Sequence, residues 1–209
     1  MKNLEGEMLY YIKAGGPILY VLLILSVVSL GVILERSLCF IKNKTSVDSM
    51  FKKEIKELLI DGKYSEAIEF SKKEKGVVGK TLTKFLIRYC LIGDYKNSDE
   101  LLREIELEEM DILERNTYIL GIIAYTAPMI GLLGTVTGMI QAFGKIAVSG
   151  TGDPNAIAGG ISQALLTTAG GLIIAIPSII AYNIFNKKIE KMSLEVEKIA
   201  TFIVNIVKR

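Results

Sequence analysis

Two stretches of this chain contain no Asp, Glu, Lys, Arg or His: the residues between Arg115 and Lys145, and those between Asp153 and Lys187. Each exceeds the roughly 20 residues that an α-helix needs to cross a bilayer. A third apolar run, Ile18 to Leu34 (ILYVLLILSVVSLGVIL), sits at the short end of that range. In lipid, backbone N–H and C=O groups must be satisfied internally, and apolar runs of this length do so as helices. The spacing therefore predicts an all-α membrane protein with three transmembrane helices. The second and third runs are longer than a span requires, so those helices tilt or project beyond the lipid.

Half of the residues are apolar and 23% are charged, at a mean hydropathy of +0.40. Both hold because the charges gather in residues 42–114 and in the C-terminal tail. The net charge is only +2 and no basic run is interleaved with aromatics, which argues against nucleic acid as a partner. The absence of histidine removes the commonest general base and metal ligand. Cys39 and Cys90 have no metal-ligand spacing and read as two free thiols. No nucleophile–base set stands out, so the chain does not read as an enzyme, and neither a cofactor nor a metal site is expected.

The first run has the length of a signal peptide core. The segment before it is not strongly basic, no A-x-A site follows, and Glu35 and Arg36 come directly after, so it reads as a retained anchor with lipid-facing chemistry. Orientation follows from Lys and Arg near the span ends. Arg36, Lys42, Lys44, Lys52 and Lys53 follow the first span, and Lys187, Lys188 and Lys191 follow the third, against Lys145 alone between the second and third. The expected layout is an N-terminal segment outside (1–17), a first span (18–41), a cytoplasmic helical domain (42–114), a second span (115–144), an outer loop (145–154), a third span (155–186) and a cytoplasmic C-terminal helix (187–209).

Within 42–114, apolar residues recur at helical spacing, as in Ile55, Leu58 and Leu59, or Leu101, Ile105, Met110 and Leu113. Asp61–Gly62, Gly76–Gly79 and Gly93–Asp94 read as breaks, with Ser65 and Glu66 able to start a helix, so four or five short helices are expected. In the tail, Ile189, Met192, Val196, Ile199, Ile203 and Ile206 form a short heptad seam that suits packing on neighbouring cytoplasmic helices.

The second span aligns Ala124, Ala127, Gly131, Gly134, Thr135, Gly138 and Ala142 along one face; the third aligns Ala156, Gly160, Ala164, Thr167, Gly171, Ala175 and Ser178. Lipid tails are as apolar as Leu, so membrane helices associate through close backbone approach between such residues. Three spans offer few internal partners, so some of the packing is expected to involve other copies in a closed ring. Pro128 and Pro177 interrupt the hydrogen-bond ladder and free the carbonyls of Ala124 and Ile173; a packing kink and a polar foothold in a pathway both fit. Thr168 falls on a bulky stripe of Ile161, Leu165, Leu172, Ile176 and Ile179, where a hydroxyl either bonds back to its own helix or serves a pathway. Gln163, one turn nearer the outside, should face a neighbour or water. Ion pathways in membranes usually carry an ionisable group. These spans have no Asp, Glu, Lys, Arg or His, so if protons are conducted, the titrating group comes from another chain or from water.

TAPMIGLLGTVTGMIQAF (126–143) and GGISQALLTTAGGLIIAIPSIIAYNIF (159–185) resemble the second and third spans of the MotA/TolQ/ExbB proton-channel family. The three-span layout resembles the ExbB and TolQ branches more than MotA. The resemblance implies a pentameric ring in the bacterial inner membrane. Its lumen would hold the single helices of an ExbD- or TolR-like partner bearing an intramembrane aspartate, with work passed on through a TonB- or TolA-like protein. It also implies lumen-facing, ion-pathway roles for Thr135 and Thr168, and Gln163 is expected on the same path. Gln163 stands where the best-known members have Glu, which leaves proton versus sodium open. An ExbB role in outer-membrane import, a TolQ role in envelope maintenance and a non-conducting membrane scaffold are the functions that follow.

Overall fold

A computed structural model describes residues 15–43, 49–92, 98–149 and 154–207. Among these residues the chain is all-helical, with seven helices: α1 (Gly16–Lys42), α2 (Ser49–Ile60), α3 (Tyr64–Ser71), α4 (Val77–Ile92), α5 (Ser98–Glu114), α6 (Thr117–Ser149) and α7 (Pro154–Val207). Three of them, α1, α6 and α7, are long and apolar enough to cross a membrane. The 33 residues of α6 make a rod of about 50 Å, against a hydrocarbon core of about 30 Å.

Helix α6 continues through Lys145 to Ser149, and α7 starts at Pro154, a first-turn position where the missing N–H is no loss. Residues 150–153 lie outside the described set, as do Gly93–Asp94 and most of the N-terminal segment. The third span and the C-terminal tail are one helix of 54 residues, because neither Gly nor Pro occurs after Pro177 to stop it. Both α6 and α7 stay helical through Pro128 and Pro177, and nearby hydroxyls bond neighbouring carbonyls: Thr126 donates to Ile122 O and Ser178 to Ile174 O.

The chain divides into two compact units: the part up to Leu34 with Tyr118–Asn183, and Glu35–Thr117 with Ile184–Arg209. In the first, Leu22 of α1 is buried against Ile123, Ala127 and Ala175, with Ile18, Leu19 and Leu25 beside it. One polar contact accompanies them. Ser178 Oγ donates to Ile174 O, so its only hydrogen is used, and Ser29 Oγ donates to Ser178 Oγ at 2.7 Å; both side chains are buried. The first span is thus more than a lipid-facing anchor. Its outer flank, Ile24, Val27 and Leu30, is exposed apolar surface, but one face is built into the unit.

In the second unit, Gly62 at φ 71° turns the chain between α2 and α3. Helix α3 begins at Tyr64, one residue before the Ser65 start, with Lys63 at the N-cap and no side-chain cap. The turn itself brings the backbone into helix early: Lys63 N donates to Leu58 O, and Ala67 N already donates to Lys63 O. The core joins Ile55, Ala67, Leu82, Phe85, Leu86, Ile105 and Leu113. The heptad seam of the tail closes it, since Val196, Ile199 and Ile203 line a narrow apolar cleft with Val78, Leu82 and Leu102. Phe40 stacks on Phe185 at 5.1 Å. Arg36 is buried and donates to Ile112 O and Leu113 O, so it satisfies two carbonyls that the end of α5 would otherwise leave open.

An ionic ladder ties α4 to α5: Lys84 pairs with Glu109 at 2.7 Å and Glu108 at 3.3 Å, and Arg88 pairs with Glu108 at 2.9 Å and Glu104 at 3.4 Å. The hydrogen bond from Arg88 holds the Glu108 carboxyl below the ordinary carboxylate range. A depressed folded-state value stabilises above the unfolded one, about 4.3, and that support is lost as pH falls through the folded value. Acid should therefore lower the thermal stability of the wild type more steeply than that of Glu108→Gln, followed by circular dichroism between neutral pH and about pH 3. Parallel pH profiles for the two proteins would show that the ladder contributes nothing.

Candidate functional site

Helices α6 and α7 meet through their small residues. Gly131, Gly134, Gly138, Ala127 and Ala142 are buried on α6, and Gly160, Ala164, Thr167, Gly171 and Ala175 on α7. The space for a side chain is absent. A Cβ on Gly171 would lie 2.6 Å from Ala127 O and 3.2 Å from Gly131 Cα, and one on Gly131 would lie 2.8 Å from Thr167 O. At Gly138 it would meet Gly160 O at 3.0 Å, and at Gly160 it would meet Ala142 Cβ at 2.7 Å. The two small faces are therefore used on each other inside one chain. Two spans supply this close packing to each other because both carry the stripe.

This close approach is what assembles the polar site. Thr135 lies at the edge of the α6 stripe and Thr168 one residue beyond the α7 stripe, and their hydroxyls bond each other across the helix pair. Thr135 Oγ1 is also 3.3 Å from Gly131 O and from Ala164 O, and Thr168 Oγ1 is 3.4 Å from Gly131 O. Each hydroxyl has one hydrogen and two lone pairs. One hydrogen joins the two oxygens, and the other goes to a backbone carbonyl at a distance where the bond is weak. Lone pairs remain for an incoming donor, and a small rotation frees a hydrogen for an incoming acceptor. The pair can thus serve a carboxyl group in both its protonated and its ionised form. Both threonines are half-buried, beside the outward apolar residues Leu165 and Leu172 of α7 and Leu132 and Met139 of α6.

Thr167, adjacent to Thr168, has a different place. It is fully buried, bonds back to Ala164 O at 2.8 Å and fills the space over Gly134. Gln163 does not join the threonines. Its amide lies over Gly16 at the start of α1, where φ is +66° and a Cβ would collide with the amide nitrogen. Its neighbour is therefore the first span, which departs from the expectation that Gln163 shares a path with the two threonines. The Ser29–Ser178 contact was not legible beforehand, because a single serine in an apolar run gives no hint of its partner.

Residues 42–198, more than half of the chain, match the MotA/TolQ/ExbB proton channel family. The chain belongs to that family. It is 32% identical over 164 residues to the biopolymer transport protein ExbB of Pseudomonas putida, covering 75% of this chain and 50% of that protein. It is 36% identical over 113 residues to the ExbB of Aquifex aeolicus, covering 54% and 71%, and 40% identical over 89 residues to that of Xanthomonas campestris, covering 43% and 35%. The chain thus spans half or less of the Pseudomonas and Xanthomonas relatives.

The glycine geometry is directly testable. Gly134→Ala puts a methyl 2.5 Å from Thr167 Cβ and should cost about 1–3 kcal/mol, whereas a Cβ at Gly144 meets nothing within 4 Å. Thermal unfolding in detergent should fall by several degrees for Gly134→Ala and stay near wild type for Gly144→Ala. Equal melting of the two variants would refute the packing argument.

Proposed function

We propose that this chain is an ExbB-like subunit of an ion-driven motor in the bacterial inner membrane. In this reading five copies form a ring with their N-termini outside, and α6 and α7 line a lumen holding single-span helices of an ExbD-type partner. The partner supplies the intramembrane aspartate, and a TonB-like protein carries the work to outer-membrane import. The observation that carries the reading is the Thr135–Thr168 hydroxyl pair on two spanning stretches that contain no Asp, Glu, Lys, Arg or His.

An aspartate in low dielectric is costly as a bare anion, and a hydrogen-bond donor reduces that cost. Thr168 or Thr135 can donate to the carboxylate by giving up a long bond to Gly131 O or Ala164 O. After protonation the carboxyl becomes a donor, and the same oxygens accept from it. The site therefore stabilises both states without titrating itself, as a relay station should. The outward apolar stripe around it, with Leu165, Leu172 and Leu132 exposed, supports a partner or a lumen of matching apolar character. The ExbB names of the relatives favour this branch over a TolQ-like one. The positive-inside distribution of Arg36, Lys42, Lys187 and Lys188 supports the orientation.

Thr168→Val keeps the shape and removes the hydroxyl. With the partner co-reconstituted in vesicles, proton flux read by a pH-sensitive dye should fall about tenfold or more, from the loss of one hydrogen bond to a charged group, while the oligomer stays intact by native electrophoresis. Thr168→Ser should retain most of the flux. Wild-type flux from Thr135→Val and Thr168→Val together would overturn the role, and a partner complex without any flux would favour a passive scaffold.

A further inference from the structure

Lysines converge on one hollow of the second unit. Lys42, Lys72, Lys75, Lys80 and Lys84 line an open cavity of about 520 Å³, together with Glu74 and Glu109. They arrive from three places: Lys42 is the last residue of α1, Lys72 and Lys75 lie in the turn after α3, and Lys80 and Lys84 are on the first turns of α4. Five positive charges against two negative leave a surplus of three on the lining.

The carboxylates do not offset it. Glu109 is buried and committed to Lys84 at 2.7 Å, a pairing that also holds the Lys84 amine above its ordinary range. Glu74 Oε1 accepts from the Gly76 N–H at 2.9 Å. Lys72 pairs with Glu69 at 2.6 Å, and both side chains are exposed to solvent. Lys80 donates to Asn43 Oδ1 at 2.6 Å, a neutral acceptor. Among the described residues, no ion pair reaches Lys42, Lys75 or Lys80. Like charges gathered in a concave site repel one another and focus the field on a counter-ion. Lysine amines, as compact point charges with three donors each, suit the several oxygens of a phosphate group.

We propose that this hollow is a binding site for a phosphate-bearing anion, held by Lys42, Lys75 and Lys80. Two sources share that chemistry. Lys42 ends the helix that carries the first candidate span, the position from which basic side chains meet anionic headgroups. A soluble phosphate compound would satisfy the same amines.

The test uses the full chain in zwitterionic detergent with two probes: phosphatidylglycerol added to the micelles and followed by native mass spectrometry, and inorganic pyrophosphate followed by calorimetry without added lipid. Each lysine beside an anionic surface contributes about fivefold in affinity, so Lys42→Gln, Lys75→Gln and Lys80→Gln together should weaken phosphatidylglycerol binding by about a hundredfold and weaken pyrophosphate binding in the same direction. A control with Lys52→Gln, Lys53→Gln and Lys56→Gln on α2 loses the same charge away from the hollow and should bind as wild type. Circular dichroism of both variants checks the fold. Saturable, salt-sensitive binding of phosphatidylglycerol alone supports a headgroup site, and binding of pyrophosphate supports a site for soluble phosphates. Binding of neither probe, or equal loss in the two variants, overturns the proposal.

Discussion

The backbone of α6 touches the backbone of α7 at Gly131 and Gly171, and the arrangement of the first unit depends on that contact. Without a Cβ on either residue the helices approach until carbonyl oxygens and Cα atoms are in van der Waals contact. Two hydroxyls placed at the edge of the seam then reach each other and the carbonyls of the opposite helix. A larger residue at Gly131 or Gly171 would do more than loosen packing. It would separate Thr135 from Thr168 and remove the polar contact between them.

The polar economy of the two units differs accordingly. In the first unit, the hydroxyls described are bonded to backbone or to one another, as for Ser29 with Ser178 and Thr167 with Ala164 O. That follows from a medium that offers no water to a stray donor. In the second unit charges are abundant and paired in ladders such as Lys84–Glu108–Arg88, and a surplus of lysine is left around one hollow. Arg36 belongs to this second regime: its guanidinium reaches two terminal carbonyls of α5 from a buried position.

Much of this was legible in the residues. The absence of charge over two long stretches dictates spanning helices, because hydrocarbon excludes every other open backbone. The 3–4 spacing of Gly and Ala marked the packing faces, and the heptad period of Val196, Ile199 and Ile203 marked the seam that the second unit buries. The start of α3 was misplaced by one residue, since a left-handed turn at Gly62 can feed a helix without a side-chain cap. That the two small faces meet each other was not legible, because periodicity states that a face packs but not on what.

The sequence alone determined which segments are apolar, which faces are small and where the charges gather. These are local properties, written in side-chain type and in the 3.6-residue period. Only the tertiary structure decided the pairings: Thr135 with Thr168, Ser29 with Ser178, Gln163 with Gly16 rather than with the threonines, and five lysines with a single hollow. The physical reason is that a contact between distant residues depends on the register of one helix against another. That register is set by the sum of many small steric fits, of which a one-dimensional pattern records only one side.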